Sequence, residues 1–215
     1  MRIELVIFDM DGLMFDTEII SKKAWEIAGE RLGYKLDNNV FMEILGTNTQ
    51  YIKNLFIKKF GDDFPTDEII NERNSLVVKI VEEDGLRVKD GLYELIYHLE
   101  QMGIKKAVAT STNRERATEL LKKANVYEKF DCIICGDDVK KSKPDPEIFL
   151  KAASKLNCKV ENCVVLEDSR WGIQAAKSAG MTPVMIPDLL EPDEEMLELI
   201  YAKVNTLKEF INSIY

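Results

Sequence analysis

The sequence predicts an α/β protein in which a doubly wound parallel sheet forms the core and an α-helical cap domain is inserted into it. Residues 3–8 form a nearly unbroken apolar run, which is typical of a strand buried on both faces of a parallel sheet. Residues 16–84 show helical periodicity without strand alternation, whereas short strands and helices alternate from Gly85 onward. We therefore assign residues 1–15 and 85–215 to a Rossmann-like core domain and residues 16–84 to the cap domain.

The cap segment is predicted to contain four helices. Thr17 is the predicted cap of the first helix, and glycines end the first two. The last helix begins after Pro65, at Thr66 or Asp67. The predicted helices are 18–32, 40–45, 48–60 and the long one that follows Pro65.

The core segment is predicted to contain five strands and six helices. Thr112 with Glu115 forms a candidate capping box, and Asp145 is a candidate cap before Pro146. The strands are 3–8, 105–110, 130–135, 163–166 and 182–186. The helices are 90–102, 112–124, 146–156, 173–179, 193–200 and 207–214.

Composition narrows the classes of partner. A net charge of −9 disfavours nucleic acid and anionic membrane surfaces as partners. Glu4 and Asp9 interrupt the segment where a signal peptide would be apolar, and no apolar run approaches membrane-spanning length. Cys132 and Cys135 flank a strand-like pair of isoleucines, and residues three apart in a strand face opposite sides, which disfavours a shared metal. We expect a cytoplasmic monomer.

Two acids, Asp9 and Asp11, follow the first strand and precede Gly12. If the extended backbone continues through Met10, both carboxylates lie on the same side. The carboxyl ends of strands are where open α/β sheets bind ligands, and two buried carboxylates need a cation or proton to compensate them. A simple turn is the structural alternative, because Asp and Gly are common after strands.

Three further polar sites lie at or near strand ends. Thr110 and Ser111 precede a helix N-terminus and could bind an anion, although plain capping also explains them. Lys143 precedes Pro144 and could offset phosphate charge, although a solvated lysine is the simpler alternative. Glu167 and Asp168 end another apolar strand, and oxygen ligands from separate strand ends suit Mg²⁺.

In this order, the four sites resemble the four motifs of the haloacid-dehalogenase-like (HAD) superfamily. They read Asp-Met-Asp-Gly at 9–12, Thr-Ser at 110–111, Lys-Pro-Asp-Pro at 143–146 and Glu-Asp at 167–168. The stretch from Phe8 to Glu18 is most similar to the branch of beta-phosphoglucomutase and sugar-phosphate phosphatases. In that branch a helical cap is inserted directly after the first motif.

The resemblance implies hydrolysis of a small phosphorylated metabolite through an aspartyl-phosphate. Asp9 would be the nucleophile, Asp11 the general acid and base, and Thr110 and Lys143 would hold phosphoryl oxygens. Mg²⁺ would bind the Asp9 carboxylate, the Asp11 carbonyl and Asp168, with Glu167 supporting them. Ser111 would contribute to substrate binding.

The cap residues favour a phosphatase over a mutase. Beta-phosphoglucomutase has a histidine in its first cap helix and a lysine and an arginine around the cap glycine loop. Here the helix position corresponds to Ser21 and the loop contains Gly46, Thr47 and Asn48, which we expect to contact the organic part of the substrate. A mutase remains the alternative enzyme, and a HAD domain that binds a phosphorylated ligand without turnover is the alternative of another class.

Overall fold

The computed structural model describes residues 2–47 and 49–213. The chain divides into two compact units. The core unit consists of Met1–Phe15 and Val88–Tyr215, and the insert unit consists of Asp16–Arg87.

The core unit contains a six-stranded parallel sheet, which confirms the predicted fold class. Its strand order is β3-β2-β1-β4-β5-β6, so the order reverses between β1 and β4. A two-residue edge strand was not predicted, because two residues are too few to show alternation. The strands are β1 Leu5–Phe8, β2 Lys105–Ala109, β3 Cys132–Ile134, β4 Cys163–Glu167, β5 Thr182–Met185 and β6 Ala202–Lys203.

The insert unit is helical in its described residues. Its helices are α1 Thr17–Arg31, α2 Asn38–Ile44, α3 Thr49–Phe60 and α4 Thr66–Asp84. The prediction that Thr17 caps α1 is wrong, because the helix begins at Thr17 itself and Asp16 occupies the N-cap. Asn48, the predicted start of the third helix, lies outside the described residues. Four aromatic rings of this unit pack against one another, those of Tyr34, Phe56, Phe60 and Phe64; Phe56 and Phe64 are buried, whereas Phe60 is exposed.

In the part of the core unit that the structure describes, six α-helices accompany the sheet. They are α5 Leu92–Gln101, α6 Arg114–Lys123, α7 Glu147–Lys155, α8 Arg170–Ser178, α9 Glu194–Leu199 and α10 Leu207–Ser213. The predicted end of the last helix, Ile214, lies outside the described residues. Among the described residues, no helix combines the length and the apolar character needed to cross a membrane.

Two predicted helix caps of the core unit are revised by the structure. The prediction of a Thr112–Glu115 capping box is wrong. Asn113 is the N-cap of α6, and its side chain accepts a hydrogen bond from the Arg116 amide. Pro146 rather than Asp145 occupies the N-cap of α7, and Asp145, one residue earlier, accepts a hydrogen bond from the Glu147 amide at 3.0 Å through its Oδ1.

Successive side chains of β1 point to opposite faces of the sheet and contribute to the packing on each face. Leu5 and Ile7 belong to a buried cluster with α7 and α8, in which Phe149 is fully buried. Phe8 contacts Phe130 edge to face, with their ring centroids 5.4 Å apart. The Phe149 ring also lies 5.0 Å from Lys143 Nζ, so α7 links the apolar core to a charged residue of the predicted site.

Replacing Phe149 should therefore destabilise the core unit strongly. Phe149→Ala is expected to lower the free energy of unfolding by about 3–5 kcal/mol, because it removes a buried ring and leaves a cavity. Leu150→Ala, on the same helix but at a side chain 41% exposed, should change it by about 0.5 kcal/mol or less. Urea denaturation of both variants tests this. Equal losses would show that Phe149 does not carry core packing.

Candidate active site

The strand register brings the predicted core residues to one edge of the sheet. Phe8, at the end of β1, pairs with Val108 of β2 on one side and Leu166 of β4 on the other. The Asp9 amide continues this ladder by donating to the Leu166 carbonyl at 3.0 Å. Residues directly after these strands therefore meet where the strand order reverses, the crevice in which such sheets bind ligands.

The Lys143 ammonium group lies at the centre of the site. Its Nζ donates to Asp9 Oδ1 at 2.5 Å, to Glu167 Oε1 at 2.6 Å and to the Ala109 carbonyl at 3.1 Å. The side chain is only 3% exposed, and both carboxylates are buried as well. The solvated-lysine alternative is therefore excluded, and the first, third and fourth motifs meet at one atom.

Glu167 is held in place by a complete set of hydrogen bonds. Its Oε2 accepts from the Asp168 amide at 3.1 Å, the Ser169 amide at 3.0 Å and Ser169 Oγ at 2.8 Å. Ser169 is also the N-cap of α8, where its Oγ accepts from the Gly172 amide. A Cβ at Gly172 would lie 1.7 Å from Glu167 Oε1, so this helix approaches the carboxylate as closely as backbone allows. Ser169 and Gly172 were not identified from the sequence as parts of the site.

Asp168 lies against the turn that follows β1. Gly12 has φ +81°, and a Cβ built there would lie 2.1 Å from Asp168 Oδ2. A residue with a side chain would be both strained and obstructed at this position. Gly12 thus allows the turn that carries Asp11 to approach Asp168 directly.

The acidic residues present a donor set that fits a divalent cation. One carboxylate oxygen each from Asp9, Glu167 and Asp168 lie within 4.8 Å of one another, and all three residues are buried. Lys143 supplies a single positive charge to this group, so negative charge remains in excess. Oxygen ligands of this kind, with room for substrate phosphate, are the usual environment of Mg²⁺.

The carboxylate of Asp11 lies beside the hydroxyl groups of Thr110, in the second motif, and of Thr112, which follows that motif. Thr112 Oγ1 donates to Asp11 Oδ2 at 2.7 Å, and Thr110 Oγ1 lies 3.4 Å from the same oxygen. The Thr112 amide in turn donates to Thr110 Oγ1 at 3.1 Å. Thr112 was interpreted as a helix cap in the sequence. Its hydroxyl instead binds an acid 101 residues away, which local sequence cannot indicate.

The electrostatics of the site centre on Asp9. Burial raises the pKa of Asp9 to about 8; the Lys143 ammonium opposes this rise, and the nearby Glu167 and Asp11 carboxylates add to it. Burial alone would lower the pKa of Lys143, but the carboxylates of Asp9 and Glu167 raise it above its usual range. Lys143 is therefore a permanent cation, whereas Asp9 gains its full charge only with further compensation.

The remaining predicted contact residues are Ser111 in the core unit and Gly46, Thr47 and Asn48 in the insert segment. Ser111 is exposed, directly after Thr110. Gly46 and Thr47 follow α2 in the insert unit, where Thr47 Oγ1 donates to the Ile44 carbonyl at 2.6 Å. Asn48 lies outside the described residues.

Within the insert unit, a cation lies beside Ser21. Arg73 of α4 donates to Ser21 Oγ of α1 at 2.5 Å, and its guanidinium lies 5.4 Å from the Trp25 ring centroid. This pair was not predicted from the sequence, because its members are 52 residues apart.

The chain is similar to known proteins in both sequence and fold. The family model of haloacid dehalogenase-like hydrolases matches residues 6–186. The phosphorylated carbohydrates phosphatase of Thermotoga maritima is 34% identical over 183 residues, which cover 83% of this chain and 82% of that protein. Among solved structures, CbbY from Rhodobacter sphaeroides in complex with phosphate aligns with a TM-score of 0.84 at 28% identity, over 97% of this chain and 96% of that chain. Beta-phosphoglucomutase from Clostridium difficile aligns with a TM-score of 0.81 at 26% identity, over 99% and 96%.

The raised pKa of Asp9 predicts how the stability of the metal-free protein depends on pH. A group whose pKa is raised by folding stabilises fully below its unfolded pKa, about 3.9 for Asp. This contribution is lost as the pH rises through the folded value, about 8. The free energy of unfolding of the parent should therefore fall, relative to that of Asp9→Asn, between about pH 4 and pH 8.

Urea denaturation in the presence of a chelator measures this difference. Asp90→Asn, a substitution at an exposed acid of the core unit, is the control and should follow the parent at every pH. Parallel curves for the parent and Asp9→Asn would contradict the raised pKa.

Proposed function

Because the chain belongs to the haloacid dehalogenase-like hydrolase family, as its four motifs predicted, we propose that it is a Mg²⁺-dependent phosphatase of small phosphomonoesters. The observation that carries the proposal is the contact of buried Lys143 with both Asp9 and Glu167. A nucleophilic carboxylate must approach a negatively charged phosphate, and this arrangement supplies the compensating charge. A buried triad of this composition has no comparable value for stability alone.

Three residues would hold the metal ion directly. The Asp9 carboxylate, the Asp11 carbonyl and the Asp168 carboxylate would be ligands, and Glu167 would support them while its oxygens accept hydrogen bonds. When bound, Mg²⁺ would supply positive charge that lowers the repulsion between carboxylate and phosphate.

The chain's own residues would carry out two displacements at phosphorus. In the first, an Asp9 oxygen forms a bond to phosphorus while the bond to the alcohol oxygen breaks, and Asp11 gives that oxygen a proton. In the second, Asp11 takes a proton from water as the water oxygen attacks phosphorus, which releases phosphate and restores Asp9. Thr110 and Lys143 would bind the phosphoryl oxygens throughout.

The substrate is proposed to be a sugar phosphate. This follows the similarity to the phosphatase of phosphorylated carbohydrates from Thermotoga maritima. The insert unit would act as the cap domain, with Gly46, Thr47 and Asn48 contacting the organic part of the substrate, and Ser111 would contribute from the core unit. We infer that the enzyme acts in the cytoplasm as a monomer.

A phosphomutase is the second candidate, and Arg73 is the observation that favours it. A mutase must retain a bisphosphate during turnover, and Arg73 places a cation beside Ser21 in the insert unit. Glucose 1-phosphate incubated with catalytic glucose 1,6-bisphosphate tests this candidate. Formation of glucose 6-phosphate without net release of phosphate would replace the phosphatase with a mutase.

Replacing the proposed nucleophile tests the phosphatase directly. Asp9→Asn should lower phosphate release from sugar phosphates by at least about 10³-fold, because the amide cannot form the phosphoryl-enzyme. Circular dichroism should show the parental fold, and Asp90→Asn should keep parental activity. Parental turnover in Asp9→Asn would exclude the nucleophile. A parent that releases no phosphate from a broad substrate panel with Mg²⁺ would favour a binding domain without turnover.

The hydroxyl of Thr112 should matter for turnover through Asp11. Thr112→Val removes the 2.7 Å hydrogen bond to Asp11 Oδ2 and should lower kcat by about 10- to 100-fold, since hydrogen bonds to charged groups contribute about 1.5–3 kcal/mol. Thr112→Ser keeps the hydroxyl and should retain most of kcat. Equal kcat values for the two variants would show that Thr112 does not position Asp11.

A further inference from the structure

Asp188 reaches the same edge of the sheet from β5. The chain continues the ladder beyond this strand, since the Ile186 amide donates to the Glu167 carbonyl at 2.8 Å. Asp188 follows two residues later, and its side chain is only 6% exposed. This acid belongs to none of the four motifs recognised in the sequence.

The Gly12 turn fixes where the Asp188 carboxylate lies. The point at which a Gly12 Cβ would sit is 2.1 Å from Asp168 Oδ2 and 3.3 Å from Asp188 Oδ2. The two oxygens therefore border the same small space over the Gly12 backbone. Asp168 is one of the three acids that fit a divalent cation, so Asp188 stands next to that donor set.

Lys89 holds Asp188 from the opposite side. Its Nζ lies 2.5 Å from Asp188 Oδ1, and its side chain is 27% exposed. The Lys89 amide donates to the Met14 carbonyl at 2.9 Å, and the Met14 amide donates to the Met10 carbonyl. The lysine is thus attached by its backbone to the turn that carries Asp11 and Gly12.

The balance of charge at this edge remains negative. The residues described here comprise five carboxylates and two ammonium groups, namely Asp9, Asp11, Glu167, Asp168, Asp188, Lys89 and Lys143. Lys89 pairs with Asp188, so its ammonium group compensates part of the charge of that carboxylate. Such a carboxylate adds attraction for a divalent cation while its own cost of burial is offset.

We propose that Asp188 strengthens Mg²⁺ binding as an outer carboxylate, by placing negative charge beside Asp168 without itself being one of the direct ligands, while Lys89 offsets the cost of burying it. This inference rests on the proposed function, because it concerns the same metal. Mg²⁺ retains several waters in protein sites and its ligands are oriented by outer polar groups. Asp188 places an acceptor oxygen and a negative charge beside Asp168 for this purpose.

Metal affinity measured without turnover tests the proposal. Isothermal titration of the chelator-treated full chain with MgCl₂ gives the dissociation constant, and urea denaturation of the metal-free protein gives its stability. Asp188→Asn should weaken Mg²⁺ binding by about 10- to 100-fold, as loss of an outer carboxylate does in other metal sites. Asp168→Asn should weaken it more, because a direct ligand is lost.

The variant Lys89→Met distinguishes a role of Asp188 in metal binding from a purely structural role. It removes a neighbouring positive charge, so it should destabilise the metal-free protein without weakening Mg²⁺ binding. A dissociation constant for Asp188→Asn within twofold of the parental value would overturn the proposal. Equal weakening by Asp188→Asn and Lys89→Met would also overturn it, because the pair would then serve only to hold the loops. Tight Mg²⁺ binding by a parent that releases no phosphate would instead count against the proposed function and leave the role of Asp188 intact.

Discussion

The site depends on one buried ammonium group between two buried carboxylates. Lys143 contacts Asp9 and Glu167 in surroundings from which water is almost excluded. Removing one partner of such a buried pair costs about 3–5 kcal/mol, whereas an apolar replacement of the whole group is often at least as stable. The Ala109 carbonyl and the amides on Glu167 reduce the cost of desolvation, but they do not make the triad a means of stabilising the fold. The composition of this triad is explained by the need to compensate charge during the reaction.

The strand order is what allows these residues to meet. Lys143 and Asp9 are 134 residues apart in sequence, yet β1 lies between β2 and β4 in register. Because all strands run parallel, each delivers its following residue to the same edge, and the reversal of order at β1 and β4 opens the crevice there. The apolar cluster around Phe149 packs α7 against these strands. The Phe149 ring in turn contacts the Lys143 ammonium group, so this packing helps to position Lys143.

The sequence could indicate Asp9, Glu167 and Asp168 because apolar runs reveal where buried strands end, whereas Lys143 was indicated by the prolines that follow it and by the resemblance of the four motifs. It also indicated the parallel sheet, since strands and helices alternate clearly after Gly85. The missed contacts join residues that are far apart in the chain, such as Lys89 with Asp188 and Arg73 with Ser21. The periodicity of a single sequence describes which face a residue occupies, but it contains no information about its distant partner.

The positions of the carboxylates in this site are fixed by close contact with the main chain. Gly12 brings the first turn against Asp168, and Gly172 brings α8 against Glu167, each at a distance that a Cβ would block. Asp168 and Glu167 are therefore confined by main chain that is itself anchored in turns and helices. Groups fixed in this way need little reorganisation when charge moves, which is the condition under which electrostatic stabilisation is most effective. A side chain at either glycine would displace an acid of the site, because the first atom it meets is a carboxylate oxygen, and at Gly12 it would also strain the backbone.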